Sequence, residues 1–195
     1  MKNVKKWLTF VLMVIFCLSL VACSKNESNN TLDNNTDSNN ISSNVTPVEL
    51  QEFTPTSGIF SISVPEIEGG WKIADNLNDG FLAIDNSDES FTIMVQCFPK
   101  EALLTDLNGI IAYYQENMLN ELNEEADEEI NISNTLSVQA KSYSGTRYNS
   151  TGKALVAFIE TEKCYYVYMI SGAENVYDAN IDVQRAAISN FTENI

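Results

Sequence analysis

A chain of 195 residues with 27 Asp and Glu against 11 Lys and Arg carries a net charge of −16 and has no histidine. The acid excess repels nucleic acid, anionic headgroups and phosphate-rich polymers. Without imidazole, His-based triads, zincin motifs and His-supported zinc or copper sites are excluded.

In chain order, Lys2, Lys5 and Lys6 make a basic start, and Trp7 to Leu20 is an apolar run broken only by Thr9 and Ser19. Ala22 then places a small residue before Cys23. This order of charge, apolar stretch and small residue is that of a secretory signal, and the run is shorter than the roughly 18–20 residues of a spanning helix. Leu20-Val21-Ala22-Cys23 resembles the lipobox of bacterial lipoproteins. That resemblance implies a signal peptide over 1–22, cleavage that leaves Cys23 as the mature N-terminus, and lipid attachment at the Cys23 sulfur by a diacylglyceryl group, with palmitate acylation. Two chains are what stable anchoring takes, at about 0.8 kcal/mol per buried CH₂. The expected location is the extracytoplasmic face of the cell membrane. Loss of three lysines with the signal leaves 11 − 3 = 8 basic against 27 acidic side chains, a net charge of −19.

Residues 23–52 follow as a tether. Ser24 to Asn44 is mostly Asn, Ser, Thr, Asp and Glu, with Leu32 and Ile41 isolated. Such a segment buries too little surface to offset its ordering entropy. As a flexible coil it spans roughly 30 Å by the 5–6 Å × √n rule.

Residues 53–195 are long enough for one domain with its own core. Ile59 to Val64 alternates with period two and puts Phe60, Ile62 and Val64 on one face, ending at Pro65. Trp71 to Ala74 reads as a second strand, Asp79-Gly80 as a hairpin turn, Phe81 to Ile84 as a third strand, and Phe91 to Phe98 as a fourth, closed by Pro99. A helix is expected next, because Leu103, Leu107, Ile110, Tyr114, Met118 and Leu122 form one stripe with Leu104, Ile111 and Leu119 on its flank. Glu124 to Glu129 opposes the helix macrodipole, so the helix is expected to fade there into a solvated acidic bend. Strands resume at Ile130-Asn131-Ile132 and through Val138, Tyr143 and Tyr148. Thr151-Gly152 reads as a turn into Ala154 to Thr161, with Glu162 near the bend into Cys164 to Ile170. Ile181, Ala187, Ile188 and Phe191 mark a closing helix that ends near Asn190. Short connections between strands argue for an antiparallel β-sheet packed against amphipathic helices, an α+β class.

Phe60-Ser61-Ile62-Ser63-Val64-Pro65 with Trp71-Lys72, the strand closed by Pro99, the long helix, the Tyr-rich hairpin and the closing Ser189-Asn190-Phe191 resemble the PsbP/Mog1-like domains. The resemblance spans 53–195 and implies an antiparallel sheet with helices on its faces. It also implies a non-catalytic accessory or binding role. It carries over no binding residue.

The remaining motifs are weak. Asp75-x-Leu77-x-Asp79-Gly80 starts like a calcium loop but has Leu at position three and Asn86 at twelve; Asp178-x-Asn180-x-Asp182 has Val183 for the required Gly. Ser150-x-x-Lys153 spans the expected turn and lacks a Lys-Thr-Gly partner. Gly145 and Gly152 do not have phosphate-loop spacing. No metal or cofactor is expected. Tyr165, Tyr166 and Tyr168, with Tyr143 and Tyr148, fit either a groove or sheet packing. Cys97 and Cys164 each lie in a strand, on apolar faces. They have two readings, a disulfide if those strands are neighbours or two packed thiols.

The reading that follows is a membrane-anchored, non-catalytic binding or assembly module with a protein partner and no nucleic-acid role. The alternative is a small-ligand or cation-binding receptor lipoprotein. An enzyme built on carboxylates alone, such as a glycosidase, is the third reading, but no acid pair is singled out.

Overall fold

The structure, a computed structural model, describes residues 49–77, 80–147 and 150–195. The signal 1–22, Cys23 and the tether as far as residue 48 lie outside the described residues, as do Asp79 and Tyr148 of the motifs above.

The chain forms two antiparallel sheets. A seven-stranded sheet has the order β3-β4-β5-β9-β8-β7-β6, and a three-stranded sheet has the order β1-β2-β10. The large sheet comprises β3 (Trp71–Leu77), β4 (Phe81–Asn86), β5 (Phe91–Pro99), β6 (Asn123–Glu128), β7 (Ser137–Arg147), β8 (Ser150–Glu160) and β9 (Cys164–Ala173). The small one comprises β1 (Leu50–Phe53), β2 (Phe60–Pro65) and β10 (Thr192–Glu193). The helices are α1 (Leu107–Asn117) and α2 (Glu174–Ile188), with a 3₁₀ turn at Lys100–Ala102. The α+β class with an antiparallel sheet is therefore what the chain adopts. The first three residues of β1 lie inside the stretch assigned to the tether; Leu50–Phe53 pairs with Ile62–Pro65, and Phe53 is buried.

One face of the large sheet carries the main core. Phe91, Ile93, Val95 and Cys97 of β5, Tyr166, Tyr168 and Ile170 of β9, and Leu155, Ala157 and Ile159 of β8 are buried there. They pack against Phe60, Ile62 and Val64 of β2 and against Tyr177, Ile181 and Ile188 of α2. The alternation read from β2 is the cause: its odd residues face away and its even ones fill the core. Phe60 sits between the layers, 5.8 Å from the Tyr166 ring and 5.9 Å from Phe191. The opposite face is covered by α1. Leu107, Ile110 and Tyr114 are its buried residues, Tyr114 meets Phe158 edge-on at 6.0 Å, and the Tyr114 hydroxyl donates to Gln96 Oε1 at 2.9 Å.

Several expectations are corrected. The helix is shorter than the apolar stripe, running from 107 to 117 rather than from Leu103 to Leu122. Asp106 fixes its start by accepting from the Gly109 amide at 3.0 Å, and Leu104 is left fully exposed. At the other end the Asn117 amide side chain donates to the Tyr113 carbonyl at 2.8 Å, a local bond that competes with continued helix. The acidic run is not a bend. It is edge strand β6, paired with β7 from Asn123↔Ser144 to Glu128↔Ala140. Lys141 pairs with Glu124 and Asp127, and Arg185 with Glu128, so the acids are held by cations from β7 and α2. Gly145 allows the approach, since a Cβ there would stand 2.8 Å from Leu122 Cδ2 and 3.1 Å from the Glu121 carbonyl oxygen.

Ile130-Asn131-Ile132 is loop rather than strand, with Ile132 anchored in the core. Thr151-Gly152 is not a turn either. Both lie within β8, where Gly152 faces Gly145 and Thr151 faces Thr146. The Gly80 turn is as expected: its φ is +86°, and a Cβ would stand 2.4 Å from Ile59 Cδ1 and 3.0 Å from Cys97 Cβ.

Phe60→Ala should cost about 3–5 kcal/mol of unfolding free energy, read by chemical denaturation, because it removes the ring joining the two layers. Leu104→Ser, on the same expected apolar surface of the helix, should shift stability by less than about 0.5 kcal/mol.

Candidate functional site

The C-terminal segment and two loops enclose a groove of about 890 Å³, within the roughly 300–1,000 Å³ typical of small-ligand sites. Its walls are the loop 133–136 before β7, the turn 161–163 between β8 and β9, and residues 189–193 with Ile195 after α2; Leu50 of β1 and Ser63 of β2 complete it. Most of the lining is hydroxyl or amide, including Ser133, Asn134, Thr135, Asn190 and Thr192. Asn134 adopts φ +61°, a left-handed conformation that Asn tolerates better than most residues. Of the five exposed large apolar side chains among the described residues, Leu50, Leu136 and Ile195 belong to this groove, at 46%, 62% and 48% exposure.

The groove stands on a buried polar knot. Thr161 is 1% exposed. Its hydroxyl donates to Glu193 Oε1 at 2.7 Å and accepts from the Cys164 amide at 3.0 Å. The Thr161 amide in turn donates to the Cys164 carbonyl at 2.9 Å. Tyr166 donates its hydroxyl to the same Glu193 oxygen at 2.9 Å. One carboxylate thus ties the short strand β10 to the β8–β9 turn and to the sheet interior. Burial, followed by the neighbouring Cys97 thiol, pushes the Tyr166 phenol well above its usual range.

Cys97 and Cys164 meet below this knot. Strands β5 and β9 are neighbours, and both cysteines are buried on the core face. The register sets Cys97 opposite Tyr166 and Cys164 opposite Pro99, so the two are diagonal. Diagonal neighbours stand about 7 Å apart, against about 4 Å between the Cβ atoms of a disulfide. Both are free thiols in the structure. Burial first, and then a hydrogen bond with Cys164, raises the Cys97 thiol far above its ordinary value.

The other sequence candidates do not assemble here. Asp178 and Asp182 lie on α2, where Asp178 accepts from Lys153 at 2.9 Å and Asp182 from Arg185 at 2.9 Å. Lys153 of the Ser-x-x-Lys spacing is thereby used in ion pairs with Glu174 and Asp178. Asp75 is in β3. No group of three or more Cys, Asp or Glu among the described residues is arranged to hold a metal ion. Tyr143, Tyr165, Tyr166 and Tyr168 are all buried in sheet packing, so they do not line the groove. The groove itself was missed. Its residues come from five separate stretches of chain, and the one local signal was the run of small polar residues around Ser133 and Ser189.

No family model matches the chain, and no curated protein matches it. Among solved structures it is similar to the cyanobacterial PsbP of Synechocystis, at 17% identity and a TM-score of 0.46, covering 80% of this chain and 98% of that one. It is also similar to LpqN of Mycobacterium tuberculosis, a protein involved in cell envelope biogenesis, at 7% identity and a TM-score of 0.44, with 76% and 86% covered. A protein of Bacteroides thetaiotaomicron matches at 11% identity and a TM-score of 0.47 over 74% of this chain. The chain spans about half the length of that protein, 48%.

Thr161→Val should lower stability by about 1–3 kcal/mol, read by urea titration, since it strips the Glu193 carboxylate and the Cys164 amide of a buried partner. Native protein should leave Cys97 and Cys164 unreacted with an aromatic disulfide reagent at pH 8, and unfolding without reductant should expose both. Two thiols fewer without reductant than after reduction would mean a disulfide.

Proposed function

We propose that the chain is a lipid-anchored, extracytoplasmic binding module that performs no chemistry of its own. The anchor half of this reading rests on the basic, apolar and small-residue order that ends at Cys23. The binding half is supported by one observation above all, the groove formed by the C-terminal segment, with its hydroxyl and amide lining and its exposed aliphatic rim. Exposed apolar side chains gathered at one place mark interaction surfaces more often than single scattered ones do. Thr161 and Glu193, both in the groove lining, are engaged with each other and with Tyr166. They serve to hold the walls. A tether of the predicted length keeps such a groove near the membrane and free to reorient.

Intact-mass and N-terminal analysis of the protein from membranes should find Cys23 first and carrying a diacylglyceryl group. Cys23→Ala should move the chain from the membrane to the soluble or secreted fraction. A wild-type N-terminus elsewhere, or an unmodified Cys23 thiol, would sink the anchor.

A further inference from the structure

We infer that the groove takes an extended peptide segment of a partner protein, apolar in its side chains and bearing a single carboxylate that meets Lys163; this rests on the binding-module reading above. Three features of the groove converge on that occupant. The first is the rim. Leu50, Leu136 and Ile195 expose aliphatic surface, while the one aromatic ring of the lining, Phe191, is 5% exposed and packed into the core. Aliphatic side chains of a ligand gain by covering such a rim, because apolar surface on both sides leaves water.

The second feature is the floor. A peptide backbone brings an N–H and a C=O at every residue, and each needs a partner once it leaves water. Serine, threonine and asparagine side chains both donate and accept, so Ser63, Asn134 and Thr192 can serve either group, while Thr135, whose hydroxyl donates to the Ile132 carbonyl, can accept. Leu50 also belongs to β1, the outer strand of the small sheet, and an outer strand leaves one row of backbone groups without a strand partner.

The third feature is charge. Lys72, Lys100, Lys141, Lys153 and Arg185 each form an ion pair with one or more carboxylates. Lys163, which lines the groove, forms no such pair among the described residues. In a chain of net charge −16 a cation without a carboxylate is the unusual case, and a partner's carboxylate completes it. Glu162 and Glu193 stand in the same lining, so a run of acids would be repelled and one acid among apolar residues fits best.

The test is a display library of random extended heptapeptides selected against the full-length chain in detergent micelles, with an oligosaccharide array run beside it. Enriched peptides should share apolar residues around one Asp or Glu. They should bind about tenfold more weakly to Leu136→Asn and to Lys163→Glu. Both substitutions are exposed and should leave folding intact, which a denaturation curve verifies. A peptide with its acid changed to Lys should recover binding to Lys163→Glu. Peptides that bind both variants as tightly as the wild type, or no enrichment at all, would overturn the inference. If array saccharides, and not peptides, lose binding in the variants, the peptide inference fails while the binding module stands. If neither class is sensitive to the groove, both fail.

Discussion

Burial of β9 on both faces is the constraint on which the rest of the molecule depends. Its segment Cys164–Val167 is buried at every residue, as is Tyr168, and β8 is buried from Ala154 to Ile159. A strand with no solvent face has to be covered twice. One cover is the small sheet with α2, joined to the large sheet through Phe60, Tyr166 and Phe191. The other is α1, seated on Phe158 by Tyr114. The order β5-β9-β8 follows from this demand, since the most apolar strands take the centre and the charged ones the edges.

The same logic explains how the acidic composition is carried. β6 is an edge strand in which Glu124, Glu125, Asp127 and Glu128 lie side by side. Charge on an edge discourages pairing with another chain, and the neighbouring Lys141 and Arg185 offset part of the repulsion. These exposed ion pairs contribute little net stability individually. They reduce the mutual repulsion of the acids along the edge. At the opposite end of the chain the buried Thr161–Glu193–Tyr166 knot does a different task, fixing the C-terminal residues that wall the groove.

Cys97 and Cys164 illustrate how far a sequence argument reaches. That each lies on the apolar face of its strand follows from period-two patterning. The pairing of the two strands does not, nor does the two-residue register offset between the cysteines. It is set by where the Lys100–Ala102 turn and the 161–163 turn stop the strands, and it makes the two thiols diagonal.

The sequence by itself determined the α+β class, the core face of β2, β5 and β9, and the existence of both helices, because apolar period is local and survives without knowledge of neighbours. Tertiary structure alone decided that the acidic run 123–128 is a strand, that Thr151 and Gly152 lie within β8, and that the helix ends at Asn117. For the two strands backbone pairing with a distant segment outweighed a weak local preference. The groove is the extreme instance. Leu50, Leu136, Lys163 and Ile195 carry no shared pattern along the chain, and only the folding of β1, two loops and the C-terminus around β2 brings them to one place.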